Sequence, residues 1–268
     1  MRNWLLALCL TLPPVTKATS VVAIWTHDSI VVAVDSKFTY VSDKVAGPSK
    51  YSCKIHRNKG FIATIAGMVA YPPTHFNPSD DLDAALAKAT DVKHAIDIAD
   101  RTIVPGFQRA LHDFQQRYLI AKYPKMYTEN MRNLQYFIGE IVFPGQSVIA
   151  YRELAEDKPP QRKDQELARA PTGFANWGYA VFGLREISTA YFTNNPNWFQ
   201  GAVLPDLAHR LIEQESIANP NDVGGPITVV VLDPNGLHWD PKGLCQDPLP
   251  KQTSVSMCGF GYRPGALP

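Results

Sequence analysis

Residues 19–37 read TSVVAIWTHDSIVVAVDSK, and their reading decides the fold. Two runs rich in Val, Ile and Ala, 21–25 and 30–36, flank His27-Asp28-Ser29. β-Branched residues suit a pleated, buried surface, and a short polar break between two such runs predicts a β-hairpin. The preceding stretch, MRNWLLALCLTLPPVTKA, has the three parts of a secretory leader. Arg2 is its positive end, Trp4 to Leu12 its apolar run, and Pro13 to Ala18 its exit region, with Thr16 and Ala18 at the small-residue positions. The apolar run is too short to span a bilayer as a helix, which takes about 20 residues. Cleavage after Ala18 would leave Thr19 as the first residue. A lipoprotein signal around Cys9, or a propeptide removed by autolysis, are the alternatives.

A free N-terminal threonine carries a nucleophile, its hydroxyl, beside a base, its α-amine. The amine's reference pKa is roughly 7.7–8.0, where a general base works best near neutral pH. An amide-cleaving enzyme is the expectation.

Without residues 1–18 the chain has 250 residues, 24 basic side chains and 25 acidic ones. That length supports one large core, and no linker or internal repeat divides it. Near-neutrality gives no electrostatic reason to expect nucleic acid or anionic lipid as a partner. No second run is apolar enough to span a membrane. Cys53, Cys245 and Cys258 remain. Export favours disulfides, and Cys245 with Cys258, close together in a Pro/Gly-rich tail, is the expected pair. Neither C-x-x-C nor histidine spacing suggests a metal. Gly259 to Gly265 follows no helix signal and is not a phosphate loop. No cofactor is expected.

Further along, 54–57 and 60–66 predict a second hairpin turning at Asn58-Lys59-Gly60. Residues 68–90, with Pro72, Pro73 and Pro78, read as an insertion with at most one short helix. Val92, Ile96, Ala99, Ile103, Phe107, Ala110, Leu111 and Phe114 recur at helical spacing, giving a long amphipathic helix kinked or split at Pro105. Strands follow at 135–142 and 147–152, a surface loop at 154–170, and a strand at 178–183. Leu204, Leu207, Ala208, Leu211 and Ile212 mark a second helix, and PITVVVL after Gly224-Gly225 a last strand. Residues 241–268 read as an irregular tail. Trp177, Tyr179, Trp198 and Phe199 read as core or subunit contacts. The order suits an α+β fold of two antiparallel sheets with helices packed outside.

T-S-V-V-A-I-W, I-V-V-A-V-D-S-K, K-I and A-G-M together resemble the opening of a catalytic proteasome β-subunit and of the related bacterial proteasome-like peptidases. The match is close over residues 19–67 and faint beyond. The resemblance implies a four-layer αββα sandwich of the N-terminal-nucleophile hydrolase type. It implies Thr19 as nucleophile, Asp35 and Lys54 as the pair that keeps the hydroxyl acidic, and Lys37 where the family usually has Arg. Gly67, expected to open the first helix, would supply the oxyanion-hole N–H. A ring-like homo-oligomer is implied too. Two positions depart from the family. Its Gly-Ser-Gly-Ser-like turn corresponds here to Phe182–Ser188, with Leu184 at the aligned serine unless Ser188 takes its place. Its Asp and Ser before a Gly-Gly pair correspond to Asn219–Val223, where Asp222 stands displaced.

The expected activity is cleavage of peptides or small amides through an acyl-enzyme, in the periplasm or outside the cell, without an ATP-driven unfoldase. The rivals are a small-molecule amidase or acylase of the same fold and an inactive structural subunit. A histidine triad with Ser36 or Ser188 lacks a G-x-S-x-G elbow.

Overall fold

The computed structural model of the chain describes residues 19–38, 50–58, 60–118, 132–142, 145–156, 158–165, 177–239 and 245. The leader and Cys258 lie outside them, as does all of the 241–268 tail except Cys245. The chain forms a mixed α+β structure with two five-stranded antiparallel sheets and, among the described residues, four α-helices.

The opening hairpin forms as the sequence predicts. β1 (Ser20–Trp25) and β2 (Ile30–Val34) are buried at every position. Their near-continuous hydrophobic sequence follows from a sheet covered on both faces. Thr26 staples the turn: its N–H donates to the Ser29 carbonyl at 2.8 Å, and its hydroxyl accepts from the Ser29 N–H at 3.1 Å. Beyond β2 lie the two-residue strands β3 (Lys37–Phe38) and β4 (Lys50–Tyr51), which pair with each other.

The second sheet begins with β5 (Ile55–Asn58) and β6 (Phe61–Gly67), the second expected hairpin. One 3-10 turn (Pro72–Thr74) precedes α1 (Pro78–Lys88) and α2 (Val92–Tyr118). α2 is one helix through Pro105, not two. The segment 68–90 is more than an appended insertion, because Met68, Tyr71, Phe76, Leu82, Ala85 and Leu86 share one buried cluster with α2 and the second sheet. β7 (Asn133–Val142) and β8 (Gln146–Ala155) are the expected middle strands. Within the expected loop at 154–170, Lys158–Gln165 instead form β9, paired with β8 across a register shift at Glu153/Ala155. Its KPPQRKDQ sequence suits an edge strand, where proline and charge block further pairing.

β10 (Gly178–Gly183), α3 (Glu186–Asn194), α4 (Leu204–Ala218), β11 (Thr228–Asp233) and β12 (Gly236–Trp239) complete the described chain. α3 and β12 were not anticipated. The first sheet runs β10-β1-β2-β11-β12 and the second β5-β6-β7-β8-β9.

Side-chain alternation divides the core into three clusters. Val21, Ala23 and Trp25 of β1 meet Ile62, Ala66 and Phe137 of the second sheet. Val22 and Ile24, pointing the other way, pack with Leu207, Leu211 and Ile212 of α4 and with Phe192 and Trp198. Phe61, Ala63 and Ile65 of β6 pack under α1 and α2. The aromatic residues 177, 179, 198 and 199 form a ring cluster against Phe192.

The cysteine pairing differs from expectation. Cys53 bonds Cys245, with a Cα–Cα distance of 5.3 Å across 192 positions of sequence. Proximity in the chain favoured Cys258, but reach in space decides a disulfide.

Candidate active site

Asp35 lies where β2 ends, fully buried, and its carboxylate is saturated with donors. Oδ1 accepts the Ser20 N–H at 2.9 Å and the Lys54 Nζ at 2.9 Å. Oδ2 accepts the Lys37 N–H at 3.1 Å and the Gly224 N–H at 3.3 Å. A buried carboxylate is tolerable only when hydrogen-bonded and paired. Here every described donor is either a backbone amide or the lysine.

Lys54 precedes β5 in an irregular stretch and is 6% exposed. Its carbonyl accepts the Thr64 hydroxyl at 3.1 Å, which anchors the residue to β6. The adjacent Cys53 is held by the disulfide. Burial pushes the Lys54 ammonium below its ordinary pKa of 10.5, and the Asp35 charge opposes this without overcoming it. The ammonium and the Ser20 amide share one oxygen of Asp35, which puts Lys54 beside the residue that follows Thr19.

Thr19 is 5% exposed and extends the β1–β10 ladder, because the Leu184 N–H donates to its carbonyl at 3.1 Å. Its parity is that of Val21, Ala23 and Trp25, so its side chain belongs to the face toward the second sheet. Ser20, on the opposite face, donates its hydroxyl to the Leu184 carbonyl at 2.8 Å. Gly183 has φ +71°, and a Cβ there would lie 1.6 Å from the Thr19 carbonyl oxygen and 3.6 Å from Ala66 Cβ. Only glycine permits that approach.

Gly67 does not open a helix. It is the last residue of β6, and α1 starts only at Pro78. The Met68 N–H donates to the Asn133 carbonyl at 3.1 Å. Antiparallel ladders alternate, so Gly67 turns its own N–H away from β7, toward the flank on which Lys54 precedes β5.

The supporting residues lie around the Asp35–Lys54 pair. The Lys37 ammonium donates to the Pro220 carbonyl at 2.7 Å, and its N–H also reaches the Gly224 carbonyl at 3.0 Å. Lys37 thus fastens the loop that offers Gly224 to Asp35. Asp222 sits half-buried in that loop, two residues before Gly224, its N–H on the Asn219 carbonyl at 2.9 Å. Ser188 is in the first turn of α3, buried, and its hydroxyl makes no hydrogen bond among the described residues. Its N–H donates to Glu215 Oε1 at 3.0 Å.

Sequence reasoning missed Ser20, Thr64, Gly224 and Glu215. Only Gly224 had a signal, as half of a glycine pair closing a turn. Among the described residues no cluster of His, Cys, Asp and Glu could hold a metal ion. No described helix is long and apolar enough to cross a membrane. No protein-family model matches the chain, and no curated protein matches it significantly.

Proposed function

We propose that the chain is an exported, proteasome-like threonine hydrolase that cleaves peptide bonds once residues 1–18 are removed. Helices on each outer face of two facing sheets make the four-layer αββα sandwich the architecture that fits this reading. The observation that carries it is the Asp35 oxygen shared by the Lys54 ammonium and the Ser20 amide, one residue from the proposed nucleophile.

In this reading the Thr19 hydroxyl attacks the substrate carbonyl while the freed α-amine, directly or through a water, accepts the hydroxyl proton. Lys54 stabilises negative charge on the oxygen, and Asp35 fixes Lys54. The Gly67 N–H donates to the oxyanion, a contact worth about 2.7–4 kcal/mol where such donors have been removed. Collapse expels the amine product, protonated by the Thr19 ammonium, and leaves an ester on Thr19. Water attacks that ester with the amine again as base.

The test is the purified mature protein and its Thr19→Ala variant. N-terminal sequencing should begin at residue 19. Thr19→Ala should fold normally, lose hydrolysis by at least a thousandfold, and resist labelling by a β-lactone probe. Full turnover in that variant, or a mature chain starting elsewhere, refutes the mechanism.

A further inference from the structure

We infer that Glu215 is a positioning residue for Thr19, an inference that rests on the hydrolase reading above. Glu215 is fully buried on α4. Its Oε1 accepts two first-turn amides of α3, Ile187 N–H at 2.9 Å and Ser188 N–H at 3.0 Å. First-turn amides have no partner within their own helix. A serine or aspartate at the cap position normally serves them. That position here is Arg185, which makes no side-chain cap bond. The chain uses a buried carboxylate from a second helix instead.

Burying a carboxylate is costly, and the cost here is not minimised: Glu215 Oε2 and the Ser188 hydroxyl are both buried without a hydrogen-bond partner among the described residues. A local cap would satisfy the helix end without that burden. What Glu215 adds is a tie between α4 and the turn leaving β10. That turn holds the nucleophile's backbone, through the Leu184 N–H on the Thr19 carbonyl and the Ser20 hydroxyl on the Leu184 carbonyl. The neighbouring Ser216 donates its hydroxyl to the Val223 carbonyl at 3.4 Å, just before Gly224 reaches Asp35. One turn of α4 therefore holds both the segment that grips Thr19 and the segment that grips Asp35.

The experiment compares Glu215→Gln, Glu215→Met and Thr19→Ala in the mature protein, using a fluorogenic peptide, a β-lactone probe and thermal melting. Gln keeps the Oε1 acceptor, and its kcat should stay within about threefold of the parent. Met keeps the length and loses the acceptor. Its kcat and labelling rate should fall at least tenfold with KM within about twofold, because the substrate site is intact and only the attacking oxygen is misplaced. If Met prevents folding, Glu215→Asp, one methylene shorter, should show the same split. A folded Met or Asp variant with parental kcat overturns the inference, as does a Gln variant as impaired as Met. Thr19→Ala separates the two readings. If it is inactive while Glu215→Met turns over fully, only the positioning role falls; if it remains active, the hydrolase reading falls too.

Discussion

Asp35 accepts four donors from four parts of the chain, so its substitution is felt at each of them. Asp35→Asn strands the Lys54 ammonium in a buried site. Breaking such a pair costs about 3–5 kcal/mol, to be read as a fall in denaturation midpoint alongside loss of activity. The depressed Lys54 pKa also has a sign. Between its folded value and 10.5 the unfolded chain holds a proton that the folded chain lacks, so stability rises with pH across that window. Below it the burial penalty is fully present. Lys54→Met should remove this rise in pH-dependent unfolding curves. Catalysis should be bell-shaped: an ascending limb from the Thr19 amine, and a descending limb below the ordinary lysine range as Lys54 loses its charge. A rate still climbing past pH 10.5 would count against Lys54 acting as an ammonium. The meeting of Asp35 and Lys54 was legible through the proteasome-like resemblance, not from strand pattern alone. Glu215 was not, since its partners, residues 187 and 188, are neighbours only in space.

Elements with one strong periodicity were readable: the two hairpins, α2, α4 and β11. α3 was hidden because Glu186–Asn194 has only two buried positions, Ser188 and Phe192, and no amphipathic stripe. β9 was hidden because an edge strand needs no apolar alternation. The junction of β10 with Thr19 offers a test at this scale. Gly183→Ala would force both a left-handed φ and a collision with the Thr19 carbonyl. Gly60→Ala carries a similar φ of +89° with open space around it. Left-handed strain alone costs about 1–3 kcal/mol. We expect Gly60→Ala to lose about that much stability and keep its activity, and Gly183→Ala to lose more stability and nearly all activity. Equal melting temperatures and equal kcat in the two would show that the β10–Thr19 approach carries no constraint.

At the scale of the molecule, two sheets face each other and the proposed site lies at one end of them, where β1 begins and β2 and β6 end. The α+β class with two antiparallel sheets was legible from strand and helix order, but the disulfide was not, because the fold brings Cys53 and Cys245 together from distant parts of the sequence. Cys245→Ser should lower stability by about 2–4 kcal/mol. In a chain of this size that is roughly 5–15 °C of melting temperature. A thiol count on the denatured, unreduced protein that finds Cys53 free would contradict the pairing. The separation of 192 residues between the two cysteines also imposes an order of events. The sulfur beside Lys54 finds its mate only once residue 245 has been made. A prematurely ended chain would own a threonine and a lysine yet lack the crosslink next to them. The bracing of the proposed site therefore depends on a residue encoded far downstream of it.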